Sequence, residues 1–168
     1  MGIQRRGLSS VAVLMGGALF ACSPQATAES SQGTSNVADA PAVHPESGLQ
    51  VIPVTVTSDS GTHTFATEVA ASPQEQAQGL MFRTELGPDE GMIFPRDGDV
   101  ASFWMKNTPL PLDIIFIGQD RRIMNIAAQT TPYSTDSVTA AGPTYAVFEI
   151  PGGRAAELGI APGDLVEW

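Results

Sequence analysis

The chain has 168 residues and carries eight Lys and Arg against 18 Asp and Glu, a formal net charge of −10. This length allows one ordinary domain. The acidic balance argues against nucleic acid and against anionic lipid surfaces as general partners, because like charges repel.

Residues 1 to 21 are predicted to be a secretory signal peptide. Arg5 and Arg6 precede an apolar run, Val11 to Ala21, that is too short to span a bilayer as a stable helix. The run ends in Leu-Phe-Ala-Cys, which resembles the bacterial lipobox. Cys22 is the only cysteine, so it cannot form an internal disulfide, and an acyl anchor explains it well. We predict a lipoprotein; the alternative is an ordinary signal peptide with an incidental cysteine.

Residues 22 to 47 are predicted to be the lipidated Cys22 and a flexible tether. After the cysteine this stretch is mostly small or polar, without an aromatic residue, and cannot bury enough apolar surface to offset its ordering entropy. His44 is interpreted as a solvated residue of the tether. Ser23 stands where an aspartate would resemble the inner-membrane retention signal. We therefore expect attachment to the outer membrane, facing the periplasm, or secretion if Cys22 is not lipidated.

Residues 48 to 168 are predicted to form the folded domain. LQVIPVTVTSD and THTFATEVA are rich in β-branched residues and meet at Asp59-Ser60-Gly61, which predicts a hairpin. Pro53 indicates that the first of these strands lies at an edge. Ser72-Pro73-Gln74-Glu75 has the pattern of a capping box and opens a short helix that should end near Gly79.

Further strands are predicted at short intervals after this helix. They cover 91–94, 100–106, 112–117, 122–127, 145–150 and 164–168, with a hairpin turn at 118–120 and a second short helix within 152–159. No glycine-rich phosphate loop leads from a strand into a long helix. The pattern predicts a mainly β fold: a single compact sandwich or barrel-like domain with one or two short helices.

The domain offers few groups for catalysis or metal binding. Its one histidine is His63, and it has no cysteine and no serine in a nucleophile-elbow setting, so triads and zinc-finger sites are unsupported. Met81, Met92 and Met105 each have large apolar neighbours, which favours core packing over a cuprous site. We predict no metal and no cofactor.

The stretch FWMKNTPLPLDIIFIG combines apolar runs with scarce charges. In an extended strand Phe103 and Met105 share one face, while Trp104 and Lys106 share the other, where they can form a cation–π contact or stack on a ligand. Asn107 and Thr108 precede proline, which ends the strand. Lys106 and Asp113 therefore flank a stiff link and can face one another.

Two interpretations of this stretch stay open. In the structural one, Lys106 and Asp113 form a salt bridge that Trp104 covers. In the functional one, a small polar site is formed by Arg83, Trp104, Lys106, Asn107 and Asp113. Two cations in an acidic chain favour a ligand with a carboxylate or another anionic group.

Asp113 and Glu149 are carboxylates inside apolar strands. A close pair would suit general acid and base chemistry, as in glycoside hydrolysis. This gives an alternative function, a hydrolase of cell-wall or carbohydrate material. Because strand residues alternate between two faces, the sequence leaves open whether the pair meets.

The motifs GLMFR, GMIF, FWMKNT and PLDIIFI occur in this order between residues 79 and 117, with GI and GD near the end. Over about residues 62 to 168 they resemble the family known as domain of unknown function 192. The resemblance implies a compact β-rich fold of exported or membrane-anchored prokaryotic proteins, without an established reaction or ligand. The polar residues in its motifs are Arg83, Lys106, Asn107, Thr108 and Asp113.

The leading hypothesis is a lipid-anchored periplasmic domain that binds a small or extended polar ligand, or an envelope partner. The hydrolase is one alternative. A structural or assembly factor of the envelope is another.

Overall fold

The structure, a computed structural model, describes residues 42–168. The predicted signal peptide, the lipidation at Cys22 and most of the predicted tether lie outside these residues. The described chain forms a seven-stranded sheet, a two-stranded ribbon and two short helices. The prediction of a mainly β, barrel-like domain is confirmed. Within residues 42–168 no helix has the length and apolar character needed to cross a membrane.

Nine strands and two helices follow one another along the described chain. In order they are β1 (Val51–Ser58), β2 (Gly61–Val69), α1 (Pro73–Gln78), β3 (Glu90–Pro95), β4 (Ser102–Phe103), β5 (Leu112–Ile117), β6 (Ile123–Ala127), β7 (Val138–Thr139), β8 (Ala146–Pro151), α2 (Arg154–Glu157) and β9 (Leu165–Glu167). The large sheet has the order β6-β5-β8-β3-β2-β1-β9, and β4 pairs with β7. Only β2 and β3 of the large sheet run parallel. A parallel pair needs a crossover, and α1 lies in it.

The two ends of the large sheet meet through the last strand. One side of β9 pairs with β1. On its other side, the Val166 amide donates to the Arg121 carbonyl at 2.9 Å, and the Ile123 amide donates to the Asp164 carbonyl at 3.0 Å. These bonds bring the start of β6 against β9, so the sheet curls into a nearly closed barrel.

Strand alternation sorts the apolar side chains into two clusters on opposite faces of the sheet. The interior cluster lies inside the barrel and includes Phe65, Ile93, Ile115, Phe148, Ile150 and Val166, with Ala155 of α2. The outer cluster includes Met92, Phe94, Ile114, Phe116 and Val147, covered by Leu80, Ala101, Met105 and Ala140 from connecting segments. The domain therefore has a second layer outside the barrel, made of the crossover and the β4–β7 ribbon.

Several local predictions are confirmed. β1 and β2 form a hairpin in which Ser58 pairs with Gly61. The Ser72 hydroxyl accepts from the Glu75 amide, and the Glu75 carboxylate accepts from the Ser72 amide, which completes the capping box of α1. The prediction that this strand lies at an edge is wrong, because β1 lies between β2 and β9; Pro53 itself is outside the residues that pair with β9, so its missing N–H costs no ladder bond.

The predicted strand over residues 100 to 106 is much shorter in the structure. Only Ser102 and Phe103 are extended, as β4, and their partner β7 was not predicted. Beyond them the Met105 amide donates to the Ser134 carbonyl at 2.9 Å, and Asn107 adopts a left-handed conformation with φ of 57°. Tertiary hydrogen bonds with another loop therefore replace the strand ladder.

Residues 42 to 47, which we predicted to be tether, belong to an ordered turn. The Val51 amide donates to the Ala42 carbonyl at 2.7 Å, and the Gly48 amide donates to the His44 carbonyl at 2.8 Å. His44 is partly buried rather than solvated. Glu46 also contacts Arg83, and the Ser47 hydroxyl donates to the Glu68 carboxylate, so residues 42–47 pack against the domain.

Candidate functional site

Asp113 is fully buried in β5, and its carboxylate holds three backbone amides. One oxygen accepts from the amides of Gln129, at 2.7 Å, and Gly153, at 2.9 Å; the other accepts from the amide of Ala155 at 2.8 Å. Gly153 and Ala155 lie at the start of α2, so the carboxylate ties this helix to β5. The predicted salt bridge between Lys106 and Asp113 is wrong, because backbone donors take both oxygens.

Asp113 and Glu149 lie on opposite faces of the sheet. In the antiparallel pairing of β5 and β8, Asp113 is opposite Ile150 and Ile114 is opposite Glu149. Cross-strand partners share a face, and Ile150 belongs to the interior cluster while Ile114 belongs to the outer one. Asp113 and Glu149 therefore do not form a carboxylate pair, and the hydrolase alternative that depended on this pair is wrong.

Arg83 is held by acidic residues of the domain itself. Its guanidinium lies 3.0 Å from the Glu68 carboxylate and 3.2 Å from that of Glu46. Glu68 is only 3% exposed and also accepts from the Ser47 hydroxyl. His44 lies 3.4 Å from the guanidinium. The charge of Arg83 is therefore neutralised internally, which weakens its predicted role in holding an anionic ligand.

Trp104 and Lys106 stay on the outside, as the two-residue alternation predicts. The Lys106 ammonium nitrogen lies 5.2 Å from the centre of the Trp104 ring, a cation–π distance. Trp104 is 49% exposed, while Met105 between them is buried. Among the described residues, Lys106 forms no ion pair within 4.0 Å. The domain therefore presents an aromatic ring and an unneutralised ammonium together.

Two further exposed aromatic residues come from loops that adjoin this segment. The Phe82 amide donates to the Asn107 carbonyl at 2.8 Å, and the Tyr133 amide donates to the Thr108 carbonyl at 3.1 Å. Phe82 is 68% exposed and Tyr133 63%. Both have positive φ, 64° and 62°, which is unfavourable for bulky residues. We call Phe82, Trp104, Lys106 and Tyr133 the aromatic surface; Phe82 and Tyr133 were not predicted.

A cleft of about 380 Å³ opens between α1 and residues 102–108; we call it the α1 cleft. Its lining includes Gln76, Leu80, Met81, Phe94, Arg96, Phe103, Trp104, Thr108 and Glu149. A second cleft of about 590 Å³ lies on the other side of α1, beside Phe82 and Arg83. Trp104 thus belongs both to the aromatic surface and to the wall of the α1 cleft.

Glu149 is the buried acid of the α1 cleft, with 5% of its surface exposed. Burial among apolar side chains raises the pKa of Glu149 to about 8, because the charged carboxylate loses its contact with water. Its carboxyl group is therefore mostly protonated at neutral pH and can both donate and accept a hydrogen bond. The sequence alone points to Glu149 only as one half of the carboxylate pair with Asp113.

The family model of the domain of unknown function 192, described as Uncharacterized ACR, matches residues 54–168. The chain belongs to this family. It is similar in structure to a protein of unknown function from Novosphingobium aromaticivorans DSM 12444, with 65% identity, 78% of this chain and 94% of that chain covered, and a TM-score of 0.76. It is also similar to a candidate transcription regulator from Sinorhizobium meliloti 1021, with 36% identity, 71% and 94% coverage, and a TM-score of 0.69. No curated protein matches the sequence significantly.

In this member of the domain of unknown function 192 family, three of the motifs meet at the α1 cleft. GLMFR supplies Leu80 and Met81, GMIF supplies Phe94 from β3, and FWMKNT supplies Trp104. The glycine of GMIF, Gly91, lets β3 pack closely on β8, since a Cβ there would lie 2.7 Å from the Phe148 ring. The fourth motif, PLDIIFI, contains β5, and its aspartate, Asp113, points to the interior of the barrel.

Proposed function

We propose that this domain of unknown function 192 protein is a binding module of the bacterial envelope, which takes a small or extended polar ligand at the α1 cleft and the aromatic surface. The observation that carries the proposal is Trp104, half-exposed in the wall of a cleft and paired with the Lys106 ammonium. Amphipathic rings and a few polar groups around a concave site are typical of ligand pockets.

The charges around the cleft narrow the ligand class. Arg83 is neutralised by Glu46 and Glu68, so Lys106 alone supports the anionic group that we expected on the ligand. A net charge of −10 argues against DNA. The role of transcription regulator, given for the Sinorhizobium relative, therefore has no support in the charge of this chain.

Replacing Trp104 or Lys106 with alanine is expected to weaken ligand binding, about tenfold for Trp104, because stacking is lost. Soluble peptidoglycan fragments and uncharged oligosaccharides are the probes, titrated calorimetrically. Arg121→Ala is the matched control for Lys106→Ala, since the Arg121 guanidinium lies 5.4 Å over the Trp168 ring, outside the α1 cleft. Equal affinity of Trp104→Ala and the wild type for every probe that binds would contradict the proposal.

A protein of the envelope is the second candidate ligand. The exposed rings of Phe82 and Tyr133, whose backbones bond to Asn107 and Thr108, favour it, because large exposed apolar side chains are typical of interaction surfaces. Envelope extracts offered to the wild type and to the Trp104→Ala and Lys106→Ala variants distinguish the two candidates. A captured protein that is lost with the substitutions favours a protein partner over a glycan.

We also propose that Cys22 anchors the domain to the outer membrane through its acyl chains. The layout of the signal peptide supports this, with a lone cysteine at its end. Cells fed radiolabelled palmitate should label the wild type and not Cys22→Ala. The same label on both proteins, or none on the wild type, would rule out the anchor.

A further inference from the structure

Glu149 lies on the outer face of the sheet, in the lining of the α1 cleft, and its carboxyl group has no partner among residues 42–168. Its cross-strand neighbours are Met92 on β3 and Ile114 on β5, both buried and apolar. Among the described residues no group donates a hydrogen bond to the carboxyl, and no buried side-chain oxygen is both sealed and unsatisfied. The carboxyl oxygens therefore remain accessible, and the α1 cleft is their route to solvent.

A second glutamate, Glu68, is buried on the same face of the sheet, but it has a cation beside it. Glu68 is opposite Met92 from the other side, so Glu68 and Glu149 flank this residue, with α-carbons about 10 Å apart at the usual strand spacing. Arg83 neutralises Glu68 at 3.0 Å. In the described part of the chain, no cation pairs with Glu149 in this way. The difference is informative, because an isolated buried acid is unfavourable for folding and is seldom kept without a use.

The other charged groups of the cleft leave this position free. Arg96 is in the lining, but its guanidinium contacts the Asp99 carboxylate at 2.5 Å and the Gln76 side-chain oxygen at 3.0 Å. Lys106 lies over the Trp104 ring. Neither of these described cations is therefore available to pair with Glu149.

We propose that the α1 cleft binds the ammonium group of a primary amine, with the Glu149 carboxylate as its counter-ion and hydrogen-bond acceptor. This rests on the proposed function and names the group that the ligand carries. Trp104 in the cleft wall gives an aromatic face for the alkyl stem of the amine or for its charge. A cleft of about 380 Å³ has room for the amine and several carbon atoms beyond it.

The test is a carbon NMR titration of the Glu149 carboxyl in the full-length chain, with propylammonium as the probe. A bound cation favours the charged form, so the pKa of Glu149 is expected to fall by at least one unit from about 8. The probe is used at about 0.1 M, since a ligand of so few atoms binds weakly. Propanol and sodium propionate at the same concentration and ionic strength should leave the pKa unchanged. An unchanged pKa in propylammonium, or an equal fall in sodium chloride, would overturn the inference.

Ligand-observed NMR gives an independent measurement. Glu149→Gln should lose the saturation-transfer signal of propylammonium, and Glu85→Gln, a change at an exposed glutamate outside the cleft, should keep it. Retention of the signal by Glu149→Gln would also overturn the inference.

The inference and the proposed function fail separately. If propylammonium leaves Glu149 unaffected while Trp104→Ala still weakens binding of the envelope fragments, only the amine specificity is wrong. If the Glu149 pKa responds and Trp104→Ala has no effect on the fragments, the cleft binds amines and the proposed envelope ligand is wrong.

Discussion

Replacing Asp113 with alanine should lower the free energy of unfolding by about 4 kcal/mol, because three buried amides lose their acceptor at once. Asp113→Asn keeps one acceptor oxygen and should lose about half as much. Denaturant unfolding at pH 7 measures both values. The start of α2 should also lose hydrogen-exchange protection in Asp113→Ala, since this carboxylate holds the Gly153 and Ala155 amides.

Asp136→Ala is the matched control, because Asp136 is exposed and its side chain makes no hydrogen bond or ion pair within the described structure. Its effect should stay within about 0.5 kcal/mol. The contrary outcome is that Asp113→Ala destabilises the domain no more than Asp136→Ala does and yet abolishes ligand binding. That result would make Asp113 a ligand-binding residue, as the sequence suggested, and would contradict the structural role described above.

Glu149→Gln is expected to stabilise the domain at neutral pH. Burial raises the pKa of Glu149 from 4.5 to about 8, so between these values the folded protein holds a proton that the unfolded chain releases. Stability therefore falls as the pH rises through this window, by about 1.4 kcal/mol per pH unit. Glutamine is always neutral and removes this dependence, which gives a gain of about 3 kcal/mol at pH 7 and almost none at pH 4.

The measurement is thermal or denaturant unfolding of the wild type and Glu149→Gln from pH 4 to pH 8, with exposed Glu85→Gln as the control. Only the difference between the wild type and Glu149→Gln should grow with pH. A glutamine variant less stable than the wild type throughout would show that Glu149 is ionised and paired. If Glu149→Gln is more stable than the wild type but no longer binds amines, Glu149 lowers the stability of the domain and is needed for binding.

Local signals allowed much of the fold to be predicted. The turn residues Asp59-Ser60-Gly61 and the capping box at Ser72 act within a few residues, so their chemistry is visible in the sequence and the hairpin and α1 were found. Alternation also sorted Phe103 and Met105 from Trp104 and Lys106 correctly. The extended backbone that this prediction assumed ends at Phe103, and beyond it a hydrogen bond from the Met105 amide to the Ser134 carbonyl holds the segment.

The site was predicted only in part, because partners far apart in sequence decide it. Arg83 was predicted to belong to the site, but it lies in the loop after α1 and its partner Glu68 lies on β2, and nothing local joins the two. Asp113 is satisfied by backbone amides, which the sequence does not display. Asp113 and Glu149 lie on opposite faces of the sheet because of the register between β5 and β8, which the sequence does not display. Phe82 and Tyr133 reach the aromatic surface through positive-φ loops, for which neither residue type is a signal.

The joining of β6 to β9 bears on how copies of this domain behave when crowded. An open sheet ends in rows of free N–H and C=O groups that can pair with a second molecule. Here Val166 and Ile123 use such groups within one molecule, and the Asn125 side chain binds the Thr139 carbonyl at 3.1 Å and the Ala141 amide at 2.8 Å beside β6. In the described part of the chain, little backbone at the β6 and β9 edges is therefore left to pair with a strand of a second molecule.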